Sequence, residues 1–424
     1  MRLAFGRIIK MGAIDRVELL SPAGDMEKLV MAVAYGADAV YMSGEEFGMR
    51  VSAGNFSGEN IKTAIEYCHE RDVKAYVTLN IVAKNTEISR IGDYAKSLWE
   101  YGTDAVIVSD PGVFAVVRES APGLEIHIGT QAGVANYASA RMWHELGAKR
   151  VILARELTLD EISEIRRKTP ETLELECFVH GAMCVSFSGR CLISQYMTGR
   201  DANQGECAQP CRWKYFLREE KREGECFEIE EHEEGTYFFN SKDLCAIDIL
   251  DRIIETGVTS LKIEGRAKSS YYAAAVTYAY RGAIDELISG KKPDVRWREE
   301  LEKVSHRNYC SGFFLDRTDA VQHYEYSSYI REYDVCAFVT GNEGDMSLLL
   351  GKNRFSEGDE VELMIPRGEI KSFKIGEIFE NDKRITDAIH PHSVYKTRLP
   401  GDVPPNAIIR KRMYAEDKNN EKRN

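Results

Sequence analysis

Short, nearly unbroken apolar runs recur along the first two-thirds of the chain. Each is followed by a stretch in which apolar residues return every three or four positions. The runs cover residues 17–20, 39–42, 75–80, 105–110, 125–130, 150–155, 175–180 and 260–264. Continuous apolar strands of this kind are those buried on both faces, as in parallel sheets. The amphipathic stretches, 25–35, 59–71, 88–101, 113–120, 136–146, 159–168, 241–256 and 269–288, read as helices. Capping residues such as Ser57 and Thr158 precede several of them. Eight such units in succession predict an α/β fold, a (β/α)8 barrel of the TIM type. A doubly wound open sheet is the rival. Ser21-Pro22-Ala23-Gly24, the turn after the first run, lacks the Gly-x-Gly-x-x-Gly that a dinucleotide site would place there.

The seventh unit breaks the rhythm, because an insertion of about 181–240 separates its strand from its helix. Loops that follow barrel strands lie on the C-terminal face, so the insertion is expected at the active face. After residue 290 the pattern changes again. Short runs at 335–340, 346–350, 360–365, 371–379, 394–399 and 407–411 predict a small C-terminal antiparallel β-barrel or sandwich. The expected plan is therefore an N-terminal extension (1–15), the barrel (16–290), a connecting helical segment (291–333), the β-domain (334–416) and a frayed tail (417–424).

Of the 424 residues, 43% are hydrophobic and 29% charged, which excludes a disordered chain or a disulfide scaffold. The net charge of −12 argues against a generic nucleic-acid binder. Much of it sits in 219–234, where nine acidic residues meet two basic ones, and this run reads as a solvated hairpin facing away from any polyanion. Arg410-Lys411-Arg412, at the edge of the β-domain, is the candidate phosphate contact. No apolar run is long enough to span a membrane. Arg7 and Lys10 interrupt any signal-peptide core, so a cytoplasmic protein is expected.

Six of the ten cysteines, Cys184, Cys191, Cys207, Cys211, Cys226 and Cys245, fall in or at the edge of the insertion. In a reducing compartment such a cluster points to metal rather than to disulfides. Four thiolates suit zinc or an iron–sulfur cluster, and without a Cys-x-x-Cys pair the spacing leaves both open. Glu18, Tyr41, Asn80, Asp110, His127, Gln131, Arg155, Glu176, His180 and Glu264 are expected at the C-terminal strand ends, ringing the barrel mouth. His127, Arg155, Glu176, His180 and Glu264 of this ring, with Lys262, are the catalytic candidates. Tyr41, Asn80, Gln131, Arg155 and Arg266 are the substrate-binding ones. Arg155, Lys262 and Arg266 suit a carboxylate or phosphate, the competing reading being ion pairs with Glu176 or Glu264. Trp213, Lys214 and Tyr215 could stack on an extruded base, with core packing as the alternative. A protease would pair His180 with Ser186, Ser188 or Ser194, but neither a Gly-x-Ser-x-Gly elbow nor a His-Glu-x-x-His helix is present.

Several segments carry a family resemblance: Glu18-Leu-Leu-Ser-Pro-Ala-Gly24, Glu176-Cys-Phe-Val-His180-Gly-Ala-Met-Cys184, Ser188-Gly-Arg-Cys191, Asp201-Ala-Asn-Gln-Gly205-Glu-Cys207, Cys211-Arg-Trp-Lys-Tyr215 and Leu261-Lys-Ile-Glu-Gly-Arg266. In these, and along most of its length, the chain resembles the peptidase U32 (collagenase-like) family. The resemblance implies a 4Fe–4S cluster on Cys184, Cys191, Cys207 and Cys245, with Cys211 as an alternative ligand. It also implies oxygen-independent hydroxylation of RNA bases or quinone precursors. Length and β-domain look most like the branch that forms 5-hydroxyuridine at the tRNA wobble position with prephenate. Hydroxylation of ribosomal RNA or of a quinone precursor, or collagenase-like proteolysis, are the alternatives.

Overall fold

The computed structural model describes residues 17–49, 54–184, 186–213, 242–315 and 329–413. The N-terminal extension, the acidic run 219–234, Lys214, Tyr215, Cys226 and the tail 417–424 lie outside the described residues. Eight parallel strands form the barrel: β1 (Glu18–Pro22), β2 (Ala39–Ser43), β3 (Lys74–Leu79), β4 (Ala105–Val108), β5 (Glu125–Ile128), β6 (Arg150–Ile152), β7 (Glu174–Ala182) and β9 (Ser260–Ile263). The eighth run closes the ring, since Ser260 is in register with Glu18 of β1 on one side and Glu176 of β7 on the other.

Helices α1 (Met26–Ala34), α2 (Gly58–His69), α3 (Asn85–Glu100), α4 (Pro111–Ser120), α5 (Tyr137–Glu145) and α6 (Leu159–Arg167) alternate with the strands, and α7 (Ile193–Thr198) lies in the insertion. Their starts are chemically set. The Asp25 carboxylate accepts from the Lys28 amide, and Thr158 with Glu161 forms a capping box. α6 buries Leu159, Ile162 and Ile165, the stripe expected of a helix with one wet face.

The segment 241–256 departs from the expected helix. It opens with strand β8 (Asp243–Cys245), antiparallel to β7, with Cys245 opposite His180, and becomes helical after the insertion's return as α8 (Leu250–Glu255). β7 is nine residues long and outruns the barrel, so its far end is free to pair with β8. Gly181 sits at that crossing with φ +107°, and a Cβ there would stand 2.4 Å from the Glu264 carbonyl oxygen. Only glycine fits.

The connecting segment contributes to the same corner. After α9 (Ser270–Ile288) and α10 (Arg296–Glu302), strand β10 (Tyr309–Cys310) pairs with β8. Arg307 donates from Nε and Nη2 to Asp243 Oδ1 at 3.1 and 2.7 Å, a buried pair holding the strand in place.

The β-domain is an eight-stranded antiparallel sheet curled round a small core that includes Leu349, Phe355, Leu363, Ile378 and Tyr395. Its strands are β11 (Tyr333–Glu343), β12 (Met346–Gly351), β14 (Glu360–Met364), β15 (Lys371–Lys374), β16 (Ile378–Glu380), β17 (Lys383–Ile385), β19 (Val394–Thr397) and β20 (Ile408–Arg412), with a separate β13–β18 pair (Phe355–Ser356, Asp387–Ala388). The single run expected at 371–379 is two strands, β15 and β16, on opposite sides of the sheet order.

This domain is fused to the barrel. Tyr35 donates its hydroxyl to the carbonyls of Met364 and Asn406 at 2.9 and 3.0 Å. α9 buries thirteen of its nineteen residues, because it is covered by the barrel on one side and by the β-domain on the other. Within the Arg410-Lys411-Arg412 run, Arg410 is not the expected phosphate contact. Arg410 is fully buried between Glu300 of α10 and Glu362 of β14, Lys411 pairs with Asp359 at 2.9 Å, and Arg412 pairs with Glu332 at 3.3 Å. Burial at the junction with the barrel removes Arg410, while the Arg412 side chain stays 62% exposed in a surface pair. Among the described residues, no helix is long and apolar enough to cross a membrane.

Candidate functional site

A cleft opens at the C-terminal end of the barrel, with an empty volume of about 520 Å³ counting its open mouth. Tyr41, Asn80, Gln131, Arg155, Lys262, Glu264 and Arg266 all line it, as expected, together with Met49, Thr78 and Phe178. Most of the polar lining is tied down. Asn80 Oδ1 accepts from the Met49 amide at 3.0 Å, and Gln131 Oε1 accepts from the Ser109 hydroxyl at 3.1 Å. Tyr41 donates to the Ile263 carbonyl at 3.0 Å. Arg155 is different. Its guanidinium lies 4.1 Å above the Phe178 ring and donates once, to the Ala182 carbonyl at 3.2 Å. Its buried Nε has no hydrogen-bond partner, and no carboxylate pairs with it among the described residues. The competing reading, an ion pair with Glu176 or Glu264, therefore fails for Arg155. It holds for Lys262, whose Nζ donates to Glu176 Oε1 at 2.9 Å.

Five residues expected in the ring at the mouth lie elsewhere. Asp110 caps α4, accepting from the amides of Gly112 and Val113. Glu18, His127 and Glu176 are inside the barrel below the cleft, because Glu18 opens β1, His127 is third in β5 and Glu176 is third in β7. There Arg150, at the start of β6, donates to Glu18, Glu174 and Glu176 at 2.5, 2.7 and 3.0 Å. Ser260 donates to both Glu18 and Glu176, and Tyr76 donates to Glu18 at 2.7 Å. The sequence signal for this network was present in Arg150, a cation opening an otherwise apolar strand. His127 packs edge-on to Tyr76, and Glu125 comes no closer than 3.9 Å, too far for a hydrogen bond. Burial lowers its pKa and keeps it neutral.

Burial alone would push the Glu18 carboxyl up, but Arg150 outweighs it and holds the group at about 2. A carboxyl held below its ordinary 4.5 contributes stability that is complete above that pH and is lost as pH falls towards 2. The shift corresponds to on the order of 3 kcal/mol. Unfolding followed across pH 2–5 should show this loss, and Glu18→Gln should flatten it. An unchanged profile would remove Glu18 from the acid response.

The fifth displaced residue, His180, is buried against Tyr272, Tyr280 and Tyr309 rather than at the mouth. Burial lowers its pKa to about 3, so it is neutral. It cannot serve a serine. Ser188 gives its amide and hydroxyl to Glu156 at 2.7 and 2.8 Å, and the Ser194 hydroxyl accepts from the Ala208 amide. Glu156 had no signal in the sequence.

The described part of the insertion flanks the mouth. The Val82 amide donates to Asn203, two residues beyond the Asn80 that lines the cleft. Cys184, Cys191 and Cys211 are half-buried, Cys207 is exposed, Cys245 is buried, and all are free thiols. Among the described residues, no three His, Cys, Asp or Glu side chains gather as they would round a single ion. The donor chemistry nonetheless suits an iron–sulfur group. Cys191 and Cys207 each accept from the backbone amide two residues on, Ile193 and Gln209, at 3.4 Å. Cys245 has the Ile247 amide and the Tyr280 hydroxyl near its sulfur, although burial still pushes its free thiol up to about 11. Such donors favour thiolate and tune a bound cluster. Trp213 is exposed, which excludes core packing for that residue.

Fold and site together define a (β/α)8-barrel protein whose mouth, lined by Arg155, Lys262 and Arg266, stands beside a cysteine-bearing insertion. The chain belongs to peptidase family U32: the model for that family matches residues 24–324, and the model for the peptidase family U32 C-terminal domain matches 331–410. It is similar to tRNA hydroxylation protein P of Escherichia coli, at 40% identity over 90% of this chain and 93% of the relative. It is also similar to an uncharacterized protease of Methanocaldococcus jannaschii, at 43% identity over 70% and 73%. A third relative, the 23S rRNA 5-hydroxycytidine C2501 synthase of Escherichia coli, is 34% identical over 78% of this chain and 46% of its own length.

Proposed function

We propose that the protein takes part in tRNA hydroxylation, converting wobble uridine to 5-hydroxyuridine with prephenate as co-substrate. The observation that carries this reading is the near full-length likeness to tRNA hydroxylation protein P, which takes in both the insertion and the β-domain. The cleft supports it chemically, since Arg155 offers an uncompensated guanidinium to a carboxylate. Lys262 adds a second cation at the cleft wall, and Glu264 a group able to move a proton at the mouth. Cys184, Cys191, Cys207 and Cys245, with Cys211 as alternative, would hold a 4Fe–4S cluster. When bound, that cluster would supply redox or Lewis-acid chemistry. Proteolysis has no support in the geometry, because Ser188 and Ser194 are engaged by Glu156 and the Ala208 amide rather than by His180.

Deleting the gene in a host with no other family member should remove 5-hydroxyuridine from tRNA, as read by nucleoside mass spectrometry. Unchanged tRNA with altered ribosomal RNA would favour the second reading, the activity named for the rRNA-modifying relative.

A further inference from the structure

Lys262 stands out among the buried cations. It is 4% exposed, yet it forms part of the cleft wall, so a ligand in the mouth can reach its amine. Its Nζ lies 4.5 Å from the Tyr41 ring centroid and 5.5 Å from that of Phe178. The same Phe178 ring carries Arg155 at 4.1 Å. An amine and an uncompensated guanidinium thus share one aromatic wall. The carboxylate below the amine, Glu176, does not depend on Lys262 alone, since Arg150 and Ser260 also donate to it at 3.0 and 3.1 Å. Burial lowers the pKa of Lys262 below that of an ordinary lysine, with Glu176 opposing. Desolvated lysines are the side chains that condense with carbonyls.

We infer that the mouth is a carbonyl-condensing site: Lys262 forms an imine with the keto carbon of a small 2-oxo carboxylate whose acid group is held by Arg155. The proton inventory closes within the site. The Lys262 ammonium gives one proton to Glu176, and the neutral amine attacks the keto carbon. A C–N bond forms as the C=O π bond breaks, and the oxygen takes a proton from the nitrogen to give a carbinolamine. Glu176 returns its proton to that hydroxyl, which leaves as water, and an iminium remains. Ketone and ammonium are consumed, iminium and water are formed, and nothing is oxidised or reduced. Prephenate is itself a 2-oxo carboxylate. The inference deepens the reading above and rests on it only for the identity of the natural ligand.

The test is reductive trapping on the full-length, cluster-loaded protein, using pyruvate and cyanoborohydride followed by intact-mass and peptide mapping. One pyruvate-derived group on Lys262 is expected. Lys262→Arg, which keeps a cation opposite Glu176, should lose it. Arg155→Gln should cut pyruvate trapping by about tenfold, one charge-assisted hydrogen bond, while leaving trapping of uncharged hydroxyacetone unchanged. Wild-type protein carrying no adduct on Lys262, or label spread equally over surface lysines, would overturn the inference. Because trapping needs no RNA, its failure is separable from any failure to hydroxylate tRNA.

Discussion

Replacing Arg410 with methionine is expected to destabilise the protein by on the order of 3–5 kcal/mol, seen as a lower denaturant midpoint. The guanidinium is wholly buried, donates to Glu300 Oε2 at 2.8 Å and Glu362 Oε2 at 2.6 Å, and meets the Tyr271 hydroxyl at 2.9 Å. Its loss leaves two carboxylates at the junction of barrel and β-domain to share one cation, Lys303, at 3.3 and 3.0 Å. Burial would raise the Glu362 carboxyl, and at present Arg410 and Lys303 more than offset this. In the variant burial gains ground, so the lost stability should be partly regained as pH falls and the Glu362 carboxyl takes up a proton. Adding Glu300→Gln should also restore part of it. A midpoint shift under about 1 kcal/mol would show the junction to be solvated rather than dry.

Replacing Cys207 with serine should abolish iron binding, and Cys191→Ser and Cys245→Ser should do the same. Cys68→Ala and Cys336→Ala serve as controls. Both thiols are fully buried in the cores of barrel and β-domain, where burial pushes them up to about 12, so they remain protonated and inert. Iron per chain measured after anaerobic reconstitution separates the two sets. Iron that survives loss of Cys207 would overturn the ligand assignment, with or without Cys211.

The barrel was legible because parallel strands buried on both faces leave an apolar run that no loop would carry, and all eight runs became barrel strands. Its polar interior was harder to place. Glu18 and Glu176 were expected at the mouth because their runs were taken to end near them. Their height in the barrel depends on strand register, which pairing alone reveals. β8 escaped notice since three residues, Asp243–Cys245, are too few to show a period. Arg410 looked like part of a phosphate contact because charge in sequence carries no record of partners. Glu300 lies over a hundred positions away in the chain. Tyr41, Asn80, Gln131, Arg155 and Glu264 were found from strand ends, which is where a barrel puts its chemistry, and Lys262 and Arg266 as cations suited to an anion.

The insertion is spliced between β7 and β9, the strands whose pairing closes the ring. Residues 183–259 separate them, against 23–38 for β1 and β2. Closure entropy grows with the logarithm of loop length, so the longer tether adds only roughly 1 kcal/mol to the final stability. Its effect on timing is larger, because distant pairings form late in folding. Until β9 docks, β7 and β1 are open edges of a seven-stranded sheet. Any delay in ordering the insertion prolongs the interval in which those edges can recruit a strand from another chain, and so makes nascent protein prone to aggregate before its barrel has closed.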